Sequence, residues 1–329
     1  GTMIGTLRRT LHPEGYHGTT RRRPYFEGWY FKVVDAAENH RYAVIPGISL
    51  AEDDGGPHSF VQVLDGATGA TIYQRYPVGA FVAAEHTLDV RVGPNHFTWD
   101  GMDLDLAGSD LPLRGSITFV DPQPWPVTPI SPGIMGWFAW VPLMECYHGV
   151  LSFDHGLEGT LQTGSGPAGF DGGRGYIEKD WGRAFPSGWV WMQTNHFATA
   201  GTCLTASIAR IPWIGTTFSG FIVGLLWKGN LLRFATYTGA RTVMLAIDED
   251  TVHWAIEDAT YRLTLTAHRS ETGNLRGPSK ADMGRPVPET LSATVSVELA
   301  TRTGTVLFRE TGRCGGMEVG GDTLALITR

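Results

Sequence analysis

The feature that most constrains this chain is a rhythm. Short runs rich in β-branched and aromatic residues, each closed by a turn signal, recur at spacings of about 8–12 residues, the pattern of a β-sandwich or barrel. Residues 25–34 are followed by a polar turn near Asp35 to His40 and then by a second strand over 41–45. Residues 59–64 and 71–73 flank Asp65-Gly-Ala-Thr-Gly69, which reads as a hairpin loop. Residues 96–99, 103–106 and 114–120 continue the meander. The Pro-rich stretch over 121–133 fits neither a central strand nor a helix and reads as a surface loop of the first domain, because strand-like sequence resumes at 150–153 and 157–161. The second half repeats the texture, with strands expected over 189–197, 202–209, 217–227, 231–237, 242–247, 253–256, 261–267, 293–299 and 306–310 and a long Gly/Pro-rich loop over 273–290. No long stretch carries apolar residues at i, i+3, i+4 and i+7, so the chain is all-β. A length of 329 residues suits two domains of about 150 each. Pro186-Ser-Gly188 breaks the pattern, which places the domains at 1–184 and 185–329, each an up-and-down barrel or curved sandwich.

Charge and composition narrow the function classes. The net charge is -7 and no basic block exceeds Arg21-Arg22-Arg23, which argues against nucleic acid as a partner. The most apolar window, residues 218–227, is too short and too interrupted by Gly and Ser to span a bilayer, so membrane contact is expected only as peripheral. Cys146, Cys203 and Cys314 are odd in number and scattered, which implies no disulfide framework and a reducing compartment. With no N-terminal apolar signal region, a cytoplasmic location is expected. There is no Gly-rich phosphate loop between strand and helix, no HxH or HExxH pair and no Gly-x-Ser-x-Gly elbow. His148 and His155 lie seven apart, which is not ligand spacing on one strand. No metal and no other cofactor is expected, and the remaining chemical option is proton transfer by carboxylates and aromatics in an apolar cavity.

Strand alternation sorts the strong segments by face. Tyr176, Glu178 and Asp180 share one side, with Ile177, Lys179 and Trp181 on the other. Trp189, Trp191, Gln193, Asn195 and Phe197 share a face opposite Val190, Met192, Thr194 and His196. Tyr25, Glu27, Trp29 and Phe31 share a third. Faces that mix Trp or Tyr with a carboxylate or amide suit a ligand cavity, with apolar walls and a few polar groups. The plainer alternatives are a filled barrel core or domain interface for the Trp189 face, a salt bridge or cap for Glu27, and a paired or solvated lysine for Lys179.

Several of these segments, taken in order, resemble the tocopherol cyclase family. They are Tyr25-Phe-Glu-Gly-Trp-Tyr-Phe-Lys32, Gly136-Trp-Phe-Ala-Trp-Val-Pro142, Gly175-Tyr-Ile-Glu-Lys-Asp-Trp-Gly182 with Phe185-Pro186, Trp189-Val-Trp-Met-Gln-Thr-Asn195, Leu275-Arg-Gly-Pro278 and Met317-Glu-Val-Gly-Gly321. Asp180 is a departure, standing where the plant members have Asn. The resemblance implies two lipocalin-like domains packed together and a lipophilic small-molecule substrate. It also implies closure of a chromanol ring from a prenylated hydroquinone, without a redox cofactor. The wider superfamily includes hydratases, pericyclases and proteins without known activity, so two alternatives stand beside it. One is a cyclase, hydratase or pericyclase acting on another isoprenoid or polyketide. The other is a non-catalytic lipophile-binding protein.

The cyclisation requires an acid for a trisubstituted alkene, shelter for the tertiary cation, and a phenol oxygen held close. Glu178 is the first candidate acid, with Asp180 as a partner on the same face that raises the pair's first proton affinity, and Glu27 is the second. Trp29, Tyr30, Trp189 and Trp191 offer π faces to the cation. Gln193 and Asn195 are placed to orient hydroxyls. Tyr176, Lys179 and Trp181 complete the expected substrate-contacting set.

Overall fold

The computed structural model describes residues 3–20, 24–52, 55–128, 131–140, 144–270, 272–279 and 282–327. Among them the chain forms two antiparallel sheets, of 12 and 10 strands. It divides into two compact units, one made of Gly1–Phe185 with Gly273–Pro286, the other of Pro186–Thr272 with Val287–Arg329. The Arg21–Arg23 block lies outside the described residues.

The first sheet consists of β1 (Phe26–Val34), β2 (Arg41–Ser49), β3 (His58–Asp65), β4 (Thr71–Tyr76), β5 (Phe81–Ala83), β6 (Asp89–Val92), β7 (Asn95–Thr98), β8 (Gly101–Asp105), β9 (Leu113–Val120), β10 (Cys146–Thr163), β11 (Gly166–Gly169) and β12 (Gly173–Gly182). Its order is β4-β3-β2-β1-β12-β10-β9-β8-β7-β6-β5, with β11 beside β10. Apolar side chains from one face of these strands meet in a single buried cluster that includes Phe31, Val44, Val63, Val90, Phe97, Ile117, Leu151 and Ile177. A sheet whose distant strands share one core must be curled, and that curl makes the unit a barrel with an inner and an outer face. Near the two edges, Asn95 Nδ2 donates to the Tyr76 hydroxyl at 3.2 Å.

Two segments that read as separate strands, 150–153 and 157–161, are parts of the 18-residue β10. Register shifts against β12 between Val150 and Ser152 and between Ser152 and His155 absorb the irregular spacing. The Pro-rich stretch is only partly a surface loop. Trp125 within it and Ile134 and Met135 just after it are buried, and Trp125 stacks on Phe153 at 5.2 Å. Residues 141 and 142 of the Gly136–Pro142 motif lie outside the described residues. A helix, α1 (Met3–Leu11), precedes the first strand; its nine residues are too few for the helical period to stand out in the sequence.

The second sheet consists of β13 (Gly188–Thr194), β14 (Cys203–Trp213), β15 (Thr216–Trp227), β16 (Asn230–Ala235), β17 (Arg241–Ile247), β18 (Thr251–Glu257), β19 (Tyr261–His268), β20 (Gly273–Gly277), β21 (Arg285–Thr301) and β22 (Val306–Gly321). Its order is β16-β15-β14-β13-β22-β21-β19-β18-β17, with β20 paired to β21. One core gathers Val190, Met192, Ile208, Val223, Phe234, Trp254, Leu265, Val295 and Met317, so this sheet is curled too.

Much of the segment expected as one long loop over 273–290 is ordered. Its portion Gly273–Pro286 belongs to the first unit and lies as a strap against β3 and β4. The Gln62 side chain pairs with Arg276 as a strand would, donating from Nε2 to its carbonyl at 2.9 Å and accepting its N–H at 3.0 Å. Met283 packs with Phe26 and Phe60, and Phe185 lies against them.

Candidate functional site

The sequence placed Glu178 and Lys179 on opposite faces, and the register shows what each face holds. β12 lies between β1 and β10, with Trp29↔Lys179, Tyr30↔Glu178 and Gly28↔Asp180 on one side and Gly149↔Lys179, Val150↔Glu178 and His148↔Asp180 on the other. Residues directly opposite each other across antiparallel strands share a face. Glu27, Trp29, Lys179 and Trp181 therefore face the barrel interior. Tyr30, Tyr176, Glu178, Asp180 and His148 face outward. The three expected carboxylates are not one site.

The inner cluster is a closed ion pair. Lys179 Nζ lies 2.5 Å from Glu27 Oε1, and both side chains are fully buried. The ammonium also donates to the carbonyls of Pro13, at 3.0 Å, and of Gly15. It sits 4.8 Å from the Trp29 ring centre and 4.6 Å from that of Trp181. Glu27 accepts from the His17 N–H at 3.0 Å and from the Tyr25 hydroxyl at 2.6 Å. Trp29 Nε1 donates to the Glu14 carbonyl at 3.0 Å. The segment Pro13 to His17 thus fastens onto the barrel interior. Burial, followed by the charge of Glu27, pushes the Tyr16 hydroxyl up to about 12. The faces of Trp29 and Trp181, expected to meet substrate, are turned to Lys179.

The outer cluster is differently built. His148 bridges the two carboxylates, with Nε2 2.6 Å from Glu178 Oε1 and Nδ1 2.7 Å from Asp180 Oδ1. The sequence joined Glu178 and Asp180 directly; instead an imidazole separates them. Burial would lower the His148 pKa, but the two adjacent carboxylates and their hydrogen bonds outweigh it and raise it well above 6.5. The raised pKa favours the charged form of the His148 ring at neutral pH. Side-chain exposure grades across it, from 4% at Glu178 through 17% at His148 to 30% at Asp180. Tyr30 and Tyr176 meet edge-on at 6.5 Å beside Glu178. Cys146, on the same face at the start of β10, has its thiol held well above 9.0 by burial and then by the charges of Asp180, Glu145 and Glu178.

The seven-residue spacing of His148 and His155 makes them no ligand pair on one strand. The partners of His148 are on another strand, and the two histidines face opposite ways. His155 lies opposite Gly175, whose missing Cβ leaves room for the ring. It packs on Phe119 at 4.6 Å and meets the Ser152 hydroxyl at 2.9 Å through Nδ1. Burial lowers its pKa to about 3, so it is a neutral core group.

One donor atom from each of His148, Glu178 and Asp180 falls within 4.8 Å of the others, a spacing compatible with a metal ion. Here, however, Nδ1 is hydrogen-bonded to Asp180 while Nε2 lies 2.6 Å from Glu178 across the other edge of the ring, and an ion coordinated by all three groups would displace at least one of these contacts. As arranged, the cluster suits proton transfer better than metal binding.

In the second unit, Trp189, Trp191 and Gln193 project from the outer face of β13, while Val190 and Met192 enter the core. Trp189 lies over Gly320, where a Cβ would stand 2.4 Å from its ring, and its Nε1 donates to Glu318 at 3.1 Å. β13 ends at Thr194, so Asn195 is buried just beyond the strand, before the isolated bridge His196↔Arg313.

The fold and this cluster define a lipocalin-like β-protein with an acid–imidazole–acid array on the outside of one barrel. Residues 123–321 match the family described as tocopherol cyclase-like, which is more than half of the chain. The chain belongs to the tocopherol cyclase-like family. It is 25% identical to a probable chloroplastic tocopherol cyclase of Oryza sativa subsp. japonica, over 82% of this chain and 68% of that protein. It is 26% identical to the chloroplastic tocopherol cyclase of Zea mays, over 56% of this chain but only 41% of that protein. Among solved structures it is similar in fold to a protein from Nitrosomonas europaea described as a putative AttH, with TM-score 0.56 and 16% identity over 94% of this chain and 95% of that one. Kievitone hydratase from Nectria haematococca follows at TM-score 0.52 and 13% identity, over 93% and 94% of the two chains. No helix among the described residues is long and apolar enough to cross a membrane.

Proposed function

We propose that the chain is a cyclase that needs no cofactor, protonating the double bond of a prenylated hydroquinone and trapping the cation with the phenol oxygen of the same molecule. The observation that carries this reading is the His148 bridge between a buried Glu178 and a partly exposed Asp180. When a lipophilic ligand covers the cluster, water leaves and the charged pair is penalised. The Nε2 proton then passes along the 2.6 Å contact to Glu178, which becomes a neutral carboxylic acid beside Tyr30 and Tyr176. Glu178 gives that proton to the alkene. The tertiary cation is sheltered by the tyrosine faces, each worth about 1–2 kcal/mol when desolvated. The phenol oxygen closes the ring, and its proton returns to the cluster through Asp180. Atoms and charge balance as an isomerisation. In the second unit, the face of Trp189, Trp191, Gln193 and Asn195 is proposed to meet the same class of ligand.

The Oryza and Zea relatives support the cyclase reading. The exposure of Asp180 supports a second one, in which water rather than phenol traps the cation and the net reaction is hydration. Incubation with a panel of prenylated hydroquinones in deuterium oxide, followed by mass spectrometry, separates the two. Cyclisation gives a product isomeric with the substrate carrying one new C–D bond, whereas hydration adds the mass of water. Glu178→Gln is expected to lower turnover by about 10²–10⁴-fold, the usual worth of a general acid. Near-normal cyclisation by a folded Glu178→Gln protein refutes the assignment.

A further inference from the structure

The segment Tyr25-Phe-Glu-Gly-Trp-Tyr-Phe-Lys32 carries a glycine in the middle of an otherwise bulky strand, where a side chain would normally be favoured. A glycine there weakens a strand and often marks a close approach by something else. Gly28 is the one residue of β1 that is not buried. It lies on the outer face directly opposite Asp180, which is itself opposite His148. On its other side it faces Gly47 of β2.

The two glycines are not equivalent. A Cβ at Gly47 would stand 2.5 Å from the Phe60 ring and 2.6 Å from the Glu27 carbonyl, so its lack of a side chain is explained by packing. A Cβ at Gly28 would meet only Ile45 Cγ2 at 3.6 Å and the Pro46 carbonyl at 3.8 Å, ordinary contacts. No left-handed backbone angle requires glycine at 28. Neither packing nor conformation accounts for it. What the missing side chain does is leave a floor of bare backbone beside the exposed end of the acid cluster. Ile45, beside Gly47 on β2, is likewise only half-buried.

We infer that Gly28 is the specificity-determining position of this site: the hydroxylated ring of the substrate lies over its bare backbone, with a ring hydroxyl on Asp180 and the prenyl double bond towards Glu178 and Tyr30. The inference rests on the cyclase reading for the identity of the ring. The steric argument concerns any flat hydroxylated ligand that reaches Asp180. A Cβ at 28 would take up part of the ring's space while standing more than 4 Å from Glu178, His148 and Asp180. It would therefore raise KM before it lowered kcat, and would exclude a heavily methylated ring before a bare one.

The test uses the full chain with Gly28→Ala and Gly28→Leu, thermal unfolding, and two probes: prenylated hydroquinones with an unmethylated and with a trimethylated ring. Binding is followed by tryptophan fluorescence and turnover by mass spectrometry. Gly28→Ala adds one methyl at ordinary contact distance and is expected to fold as the wild type does. The expected result is a KM or Kd raised at least tenfold by Leu and several-fold by Ala, with a larger effect on the trimethylated ring. Unchanged binding and turnover of both probes in both folded variants overturns the inference and leaves the cyclase reading standing. If the leucine variant fails to fold, the alanine variant decides by the same ratio between rings. Binding without turnover in the wild type, weakened by the substitutions, sustains the inference and overturns the cyclase reading. A wild type that neither binds nor converts either probe overturns both.

Discussion

The interior pair offers the sharpest test of what is scaffold and what is chemistry. With Lys179 Nζ 2.5 Å from Glu27 Oε1 and neither side chain exposed, the two charges attract by about 7 kcal/mol at an effective dielectric near 20. Taking each ion out of water costs several kcal/mol, so the intact pair contributes little net stability. Removing one partner is different, because the other is left charged and buried at a cost of about 3–5 kcal/mol. Lys179→Met leaves Glu27 with its bonds from His17 and Tyr25 but no cation; Glu27→Gln leaves the ammonium with the carbonyls of Pro13 and Gly15. Against a total stability of about 5–15 kcal/mol, either change is a large fraction. At about 2–4 °C per kcal/mol for a unit of this size, Tm falls by about 6–20 °C. The assay is urea unfolding of both single variants and of the pair Glu27→Gln with Lys179→Met. The double variant should cost clearly less than the sum of the singles, since it removes both charges together. A Lys179→Met protein within about 0.5 kcal/mol of wild type, the scale of ordinary surface changes, refutes the reasoning. So does a Glu27→Gln protein of unchanged stability that has lost turnover, because Glu27 would then be chemistry rather than scaffold.

The two histidines of β10 should leave opposite signatures in stability against pH. The folded pKa of His148 is raised, so its contribution is complete below about 6.5 and is lost as pH rises through the raised value. The wild type should therefore lose, on the alkaline side, stability that His148→Asn never had; parallel urea-unfolding profiles from pH 6 upward would contradict the imidazolium bridge. His155 is lowered to about 3, so its contribution is complete above 6.5 and is lost as pH falls towards 3. His155→Phe should flatten the acid limb of the profile by several kcal/mol, and an unchanged limb would show that His155 is solvated.

The fold and the faces were legible because they depend on local rules. Alternation with period two depends only on neighbours in the chain, and it placed Glu178 against Lys179, and Trp189 with Trp191 against Val190 with Met192, on their observed sides. The constellations depend on register between strands distant in sequence, which alternation does not fix. Glu27 and Lys179 were each visible and each read alone. His148 was visible and misjudged, since its carboxylates lie about thirty residues away on β12 and the bulges of β10 obscure the register. The strap was hidden for another reason: Gly and Pro signal a loop, and nothing local indicates that Gln62 will receive it as a strand.

The strap also orders events during synthesis. Domains of a growing chain ordinarily fold as units, the N-terminal one first. Here the first unit lacks Gly273–Pro286 until the Pro186–Thr272 portion of the second has been made. Until then Phe26, Phe60 and the Gln62 amide await their cover, and the nascent barrel carries an apolar surface that other chains can reach. A fragment cut after Phe185 would keep that surface for good. Separating this protein into independent halves therefore requires carrying the strap along, and a cell making it has reason to shield the first barrel until the last quarter of the chain arrives.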